Sequence, residues 1–230
     1  MLGVTVNTIA VIVGSLIGLL CKKGIPEKFT SAIMTAIGLC TVYIGISGTL
    51  KGENTIILIL SMVIGTAIGT ALDIDGGINR LGDSLEKRFS RGDGQTSIAQ
   101  GFVTASLLFC IGAMTIVGSL TAGLTGDNEM LFTKSVLDFI SSIMLTVSLG
   151  IGVIFSALFV LVFQGTIALF AGVLSPILSE AAINELVCAG SLMIMALGLN
   201  ILGVTKLKVA NYMPALIISP VLVMIYSLIA

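Results

Sequence analysis

The residues of this chain that could do chemistry are few, and most are uncharged. Asp138 stands out because it falls in a long apolar stretch, with Lys134 four residues before it and Ser141 and Ser142 three and four after it. Residues four apart share a helical face, so Lys134 can pair with Asp138. The carboxylate and the two hydroxyls can lie on the same side. Carboxylate and hydroxyl oxygens together can attract and desolvate a small cation. A charge inside an apolar span is costly and marks a pathway by default. The other reading places Asp138 about one turn into its helix, where the positive helix end favours an interfacial carboxylate. The sequence leaves both readings open.

Uncharged polar residues are more numerous inside the apolar stretches: Asn7, Thr104, Ser106, Ser148, Gln164 and Asn200 join the serines above. Amides and hydroxyls can line a path for a small solute or supply oxygen ligands to an ion. They can equally hydrogen-bond between helices. Asn7, Gln164 and Asn200 are the stronger transport-path candidates, because an unpaired amide in hydrocarbon is expensive. The chain has no His and no Trp, which removes the commonest general base and metal ligand. Cys21, Cys40, Cys110 and Cys188 form no CxxC pair and read as small apolar packing residues. No nucleophile elbow, phosphate loop or paired carboxylates appear, so no catalytic residue, metal or cofactor is expected and the chain does not read as an enzyme.

The elements that must position these residues follow from composition. Of 230 residues, 56% are apolar and 10% charged, with mean hydropathy +1.15. A soluble domain carries about 25% charged residues, so the apolar surface must face lipid. The net charge of −1 gives no reason to expect nucleic acid as a partner. Charge-free runs predict about eight transmembrane helices: 3–21, 29–50, 55–72, a long tilted span 98–125, two spans within 131–179 divided near Gly150–Gly152, then 186–205 and 209–230. The first is read as a retained span, since Lys22 and Lys23 follow it. Lys22, Lys23, Lys28, Arg80, Lys87, Arg88, Arg91, Lys206 and Lys208 fall in odd-numbered loops, and only Lys51 and Lys134 in even ones. The positive-inside rule then makes odd loops cytoplasmic and both termini extracytoplasmic, in a bacterial inner membrane. Ile78, Leu81, Leu85 and Phe89 predict an amphipathic helix in the loop 73–97, with a flexible tip at Gly92–Thr96. Pro26 suits the first turn of the second span, Asn211 could cap the last, and Pro220 predicts a kink within it.

Short matches suggest an internal duplication. Ile12–Leu16 recurs as Ile116–Leu120, Phe29-Thr30 as Phe132-Thr133, and Gly65-Thr66 as Gly165-Thr166. The expected organisation is a single transmembrane domain. A three-helix repeat over 1–72 and the loop 73–97 precede a second, inverted repeat over 98–179 and two further helices over 180–230. Gly14 with Gly18, Gly65 with Gly69, and Gly118 with Ala122 are small-xxx-small pairs that let helices approach closely. Packing within the chain is the simpler reading, and a homo-oligomer interface the alternative.

Several stretches carry a resemblance. They are Gly3-x-x-x-Asn7-Thr8, Lys23–Glu27, Gly101–Leu120, Gly123–Asp127, Thr133–Asp138 and Gly198–Leu216. Together they resemble the YqgA/YdfK-like family of bacterial inner-membrane proteins, a family of unknown function. The resemblance implies a polytopic bacterial membrane protein and no activity. Its members often carry a carboxylate where this chain has Thr70, with Asp73 and Asp75 nearby. The combined expectation is an all-α bundle in the lipid bilayer acting as a small-solute or ion transporter or channel. The alternative is a non-transporting scaffold or sensor component that works through partner contacts.

Overall fold

A computed structural model describes residues 1–22, 27–80, 98–111, 113–176 and 178–229, and every described element is helical. The helices are α1 (Leu2–Lys22), α2 (Glu27–Thr49), α3 (Thr55–Ala71), α5 (Ile98–Cys110), α6 (Ala113–Leu124), α7 (Glu129–Leu149), α8 (Gly152–Leu169), α9 (Ala171–Leu174), α10 (Glu180–Ile201) and α11 (Ala215–Ile229). A short α4 (Ile74–Arg80) follows α3, and a 3-10 turn covers Val209–Tyr212. Among the described residues, five segments are individually long and apolar enough to cross a membrane, and up to seven if each bent pair is one span. The eight expected from sequence would add α2, whose apolar part Met34–Thr49 is shorter. Large apolar side chains such as Ile56, Val63, Leu158, Leu169 and Ile217 face outward. This is an all-α membrane protein, with lipid solvating the outer faces and backbone polar groups satisfied within helices.

The chain falls into two compact units, Met1–Met34 with Ile78–Gly172 and Thr35–Gly77 with Val173–Ala230. The divisions drawn from sequence at 72, 97 and 179 do not coincide with these units. α1 falls in the first unit and α3 in the second, whereas α5 to α8 all lie in the first.

In the first unit α1 and α7 run parallel. A Cβ at Gly14 would land on the Phe139 carbonyl and Ser142, and one at Gly18 on the Ile143 carbonyl and Thr146. These glycines therefore let two helix backbones touch, which is the packing role expected of them. Gly118 faces Met130 and Leu131, and Ala122 joins Val4, Leu131 and Ala168 in an apolar cluster. α7 and α8 meet at the expected turn, where Gly150 takes φ 78° and ψ −160°, a conformation that side chains resist. In the second unit Gly65 and Gly69 lie against Ala215 and Asn211, so α3 and α11 pack antiparallel.

Several expectations are corrected. The fourth span is not one tilted helix but α5 and α6, bent by 61°. The interruption is supported by Thr115, whose Oγ1 donates to the Phe109 carbonyl at 3.0 Å and replaces a lost ladder bond. α7 begins at Glu129 and α10 at Glu180, earlier than the apolar runs suggested, because each opens on a glutamate that a charge-free run leaves out. Asn211 does not cap α11. Its Oδ1 accepts from the Asp75 N–H at 2.8 Å, in the first turn of α4. Pro220 lies inside α11, as expected. Pro26, most of the amphipathic helix expected around Ile78–Phe89, and the tip Gly92–Thr96 lie outside the described residues.

Candidate functional site

The charges of α7 lie within the helix, Asp138 near its middle. Asp138 lies nine residues after Glu129 in a helix of 21 residues, about 14 Å along its axis. Of the two readings that the sequence left open, this position favours a carboxylate within the helix over one at its end. The Asp138 side chain is 7% exposed and that of Lys134 9%. The Lys134 ammonium donates to both Asp138 oxygens at 2.9 Å. Asn7, wholly buried on α1, donates from Nδ2 to Asp138 Oδ2 at 3.0 Å. The parallel α1/α7 packing creates this contact across 131 residues of sequence: Gly14 and Gly18 bring the backbones together about two and three turns further along α1.

The break between α5 and α6 comes to the same depth. α5 starts beside the α7–α8 turn, with Gly101 near the Leu149 carbonyl and Gly152 against Ile98. It then runs back along α7, and Cys110 at its end is buried. An interrupted helix beside buried ionisable groups is the arrangement by which broken spans form solute sites in transporters.

Other polar side chains of this unit are buried without a hydrogen-bond partner among the described residues. They are Asn7 Oδ1, Ser15, Thr104, Ser106, Ser119, Thr146, Ser148 and both polar atoms of Gln164. Gln164 is wholly buried on α8. Gly123 abuts Ala168, so Ser119 and Gln164, each four residues earlier, lie one turn further in on their helices. Thr104 and Thr146 lie near the opposite end, close to where Gly101 meets Leu149. The orphan groups thus follow the length of the unit, with Asn7, Lys134 and Asp138 between them.

The remaining candidates behave differently. Ser142 is buried against Gly14 and donates to the Phe139 carbonyl at 2.8 Å, whereas Ser141 is exposed and does not share the Asp138 face. Asn200 belongs to the second unit, where it staples a loop: Nδ2 donates to the Leu207 carbonyl, and Oδ1 accepts from Leu207 N–H and Thr205. Cys21 and Cys40 are exposed rather than packed inside, and Cys188 donates to the Thr49 carbonyl at 3.1 Å. Glu185, 2% exposed on α10, was missed because the apolar run starts after it. The start signal Ser179-Glu180 would have placed it inside the helix, since Ser179 caps the Ala182 N–H.

The family described as "Protein of unknown function (DUF554)" matches residues 2–224. "Uncharacterized membrane protein YdfK" of Bacillus subtilis (strain 168) is 35% identical over 229 residues, covering 98% of this chain and 96% of the relative. "Uncharacterized protein YqgA" of Escherichia coli (strain K12) is 29% identical over 221 residues, covering 95% and 94%. No solved structure matches.

Proposed function

The chain belongs to the DUF554 family of proteins of unknown function, so its activity has to be argued from its own geometry, and we propose that it is a membrane transporter or channel for a small solute or ion. One observation carries the reading: a buried Asn7–Asp138–Lys134 cluster at mid-span, level with the interruption between α5 and α6. Charges so deep in a span are rare and concentrate along solute pathways. The freed backbone groups of a broken helix are tolerated at membrane depth only where they are buried in protein or line a cavity. The reading requires no catalytic step, cofactor or nucleic acid. It does not draw on the inverted repeat, because the helices of the first triplet divide between two units.

The proposed setting is a bacterial inner membrane with both termini extracytoplasmic, supported by nine of the eleven basic residues falling in odd loops. The test uses the full chain in proteoliposomes. Neutral-solute flux is followed by light scattering and ion flux by a voltage-sensitive dye. Flux of one class above protein-free vesicles is expected, with a fall of about tenfold in Asp138→Asn, whose lone Lys134 charge would obstruct the path. Unchanged flux in a folded Asp138→Asn protein removes the site from the pathway. No flux of either class favours the scaffold reading.

A further inference from the structure

Resting on the transport reading, we infer that the site takes an uncharged polar solute bearing both hydrogen-bond donors and acceptors, and rejects free ions. The inference comes from what is paired and what is not. Among the described residues of the first unit, Lys134 and Asp138 are the charges buried within its spans, and each is the other's partner. Both Asp138 oxygens accept from Lys134, and Asn7 adds a third bond. The cluster is electrically neutral and its carboxylate is already occupied. A cation would have to displace Lys134 from Asp138, and an anion Asp138 from Lys134. Either exchange leaves one buried charge uncompensated.

In this unit the described buried side-chain groups that lack partners are all neutral, among them the Gln164 amide, Asn7 Oδ1 and the hydroxyls of Ser119, Thr104 and Thr146. Gln164 offers two donors and a carbonyl acceptor, and each hydroxyl offers both functions. Such a set can replace the hydration of hydroxyl, amide or urea groups bond for bond. Because these groups are spread along the unit, they do not gather the several oriented oxygens or N–H groups around one point that a bare ion calls for. The neutral pair also fixes Asn7, so that its Nδ2 is engaged and its Oδ1 remains to accept.

Glycerol and urea are suitable probes, because each carries donors and acceptors and no charge. The full chain is reconstituted, and entry of each probe is followed by stopped-flow light scattering, with potassium and chloride conductance read in parallel. Glycerol or urea entry above protein-free vesicles is expected, with ion conductance at background. Gln164→Leu should cut that entry about tenfold, the worth of one buried polar partner. Ser119→Ala removes a single oxygen, guards against misfolding of the first variant, and should cut entry to a lesser degree. Ion conductance without glycerol or urea entry overturns the neutral-solute inference and leaves the transport reading standing. Entry insensitive to both substitutions in folded protein also overturns it. Absence of every flux overturns the transport reading itself.

Discussion

At the scale of single residues, Lys134 and Asp138 set the energetics of the first unit. Their separation of four positions makes them neighbours on any helix, and burial turns that local pair into a costly one. Removing only the carboxylate leaves an ammonium in a dry interior. Asp138→Leu is therefore expected to destabilise the protein by about 3–5 kcal/mol. The double variant Lys134→Met with Asp138→Leu removes both charges and should recover most of that loss, as a double-mutant cycle in detergent would show. Equal stability of the single and double variants would mean that the pair is solvated and contributes little. Glu185 offers a second residue-scale test in the other unit. Its Oε1 accepts from the backbone N–H groups of Glu53 and Asn54 at 2.7 Å each, and so holds the α2–α3 loop on α10. Glu185→Gln keeps a carbonyl acceptor and should cost less than about 1 kcal/mol, whereas Glu185→Ala strands two donors and should cost about 2–4 kcal/mol. Thermal unfolding separates the two outcomes.

At the scale of elements, glycine positions decide which helices touch. The α1–α7 contact depends on Gly14 and Gly18, where a side chain would meet carbonyl oxygens of the opposing helix. Backbone cannot yield as a flexible side chain can, so Gly14→Leu is expected to destabilise by about 1–3 kcal/mol or more. It should also separate Asn7 from Asp138. Gly172, with nothing within 4 Å of an added Cβ, is the control and should accept alanine with little effect. Equal melting temperatures for Gly14→Leu and Gly172→Ala would contradict the close packing of α1 on α7. The same logic explains why the broken span sits where it does. α5 is pinned at its start by the Gly101 and Gly152 contacts, and Thr115 accommodates the carbonyl released at its end.

At the scale of the whole molecule, orientation follows from charge distribution rather than from packing. The basic residues of the odd loops should hold those loops in the cytoplasm. A reporter fused after Ala230 is expected to be active only in its extracytoplasmic form. A cytoplasmic signal would remove one span from the count of eight or reverse the chain. Each compact unit draws on helices from both halves of the sequence, so deletion of either half should leave no unit intact.

Composition alone determined that this is a membrane protein, because 23 charged side chains among 230 cannot solvate a soluble fold. The turn at Gly150, the Lys134–Asp138 pairing and the packing use of Gly14, Gly18, Gly65 and Gly69 were also legible. Each depends on neighbours a few positions away or on the small size of one residue. Tertiary structure alone decided the rest. The burial of Asp138 depended on which helices pack against its face of α7, which apolar runs do not register. Its bond to Asn7 spans 131 residues and depends on the parallel packing of α1 and α7. Ser141 and Ser142 are adjacent and similar in type, and only the position of α1 puts one inside and the other out. Asn200 and Gln164 looked alike as intramembrane amides, yet one closes a loop and the other is buried without a partner. A polar side chain in an apolar run is visible from its type, but the group that answers it is set by which helix faces meet.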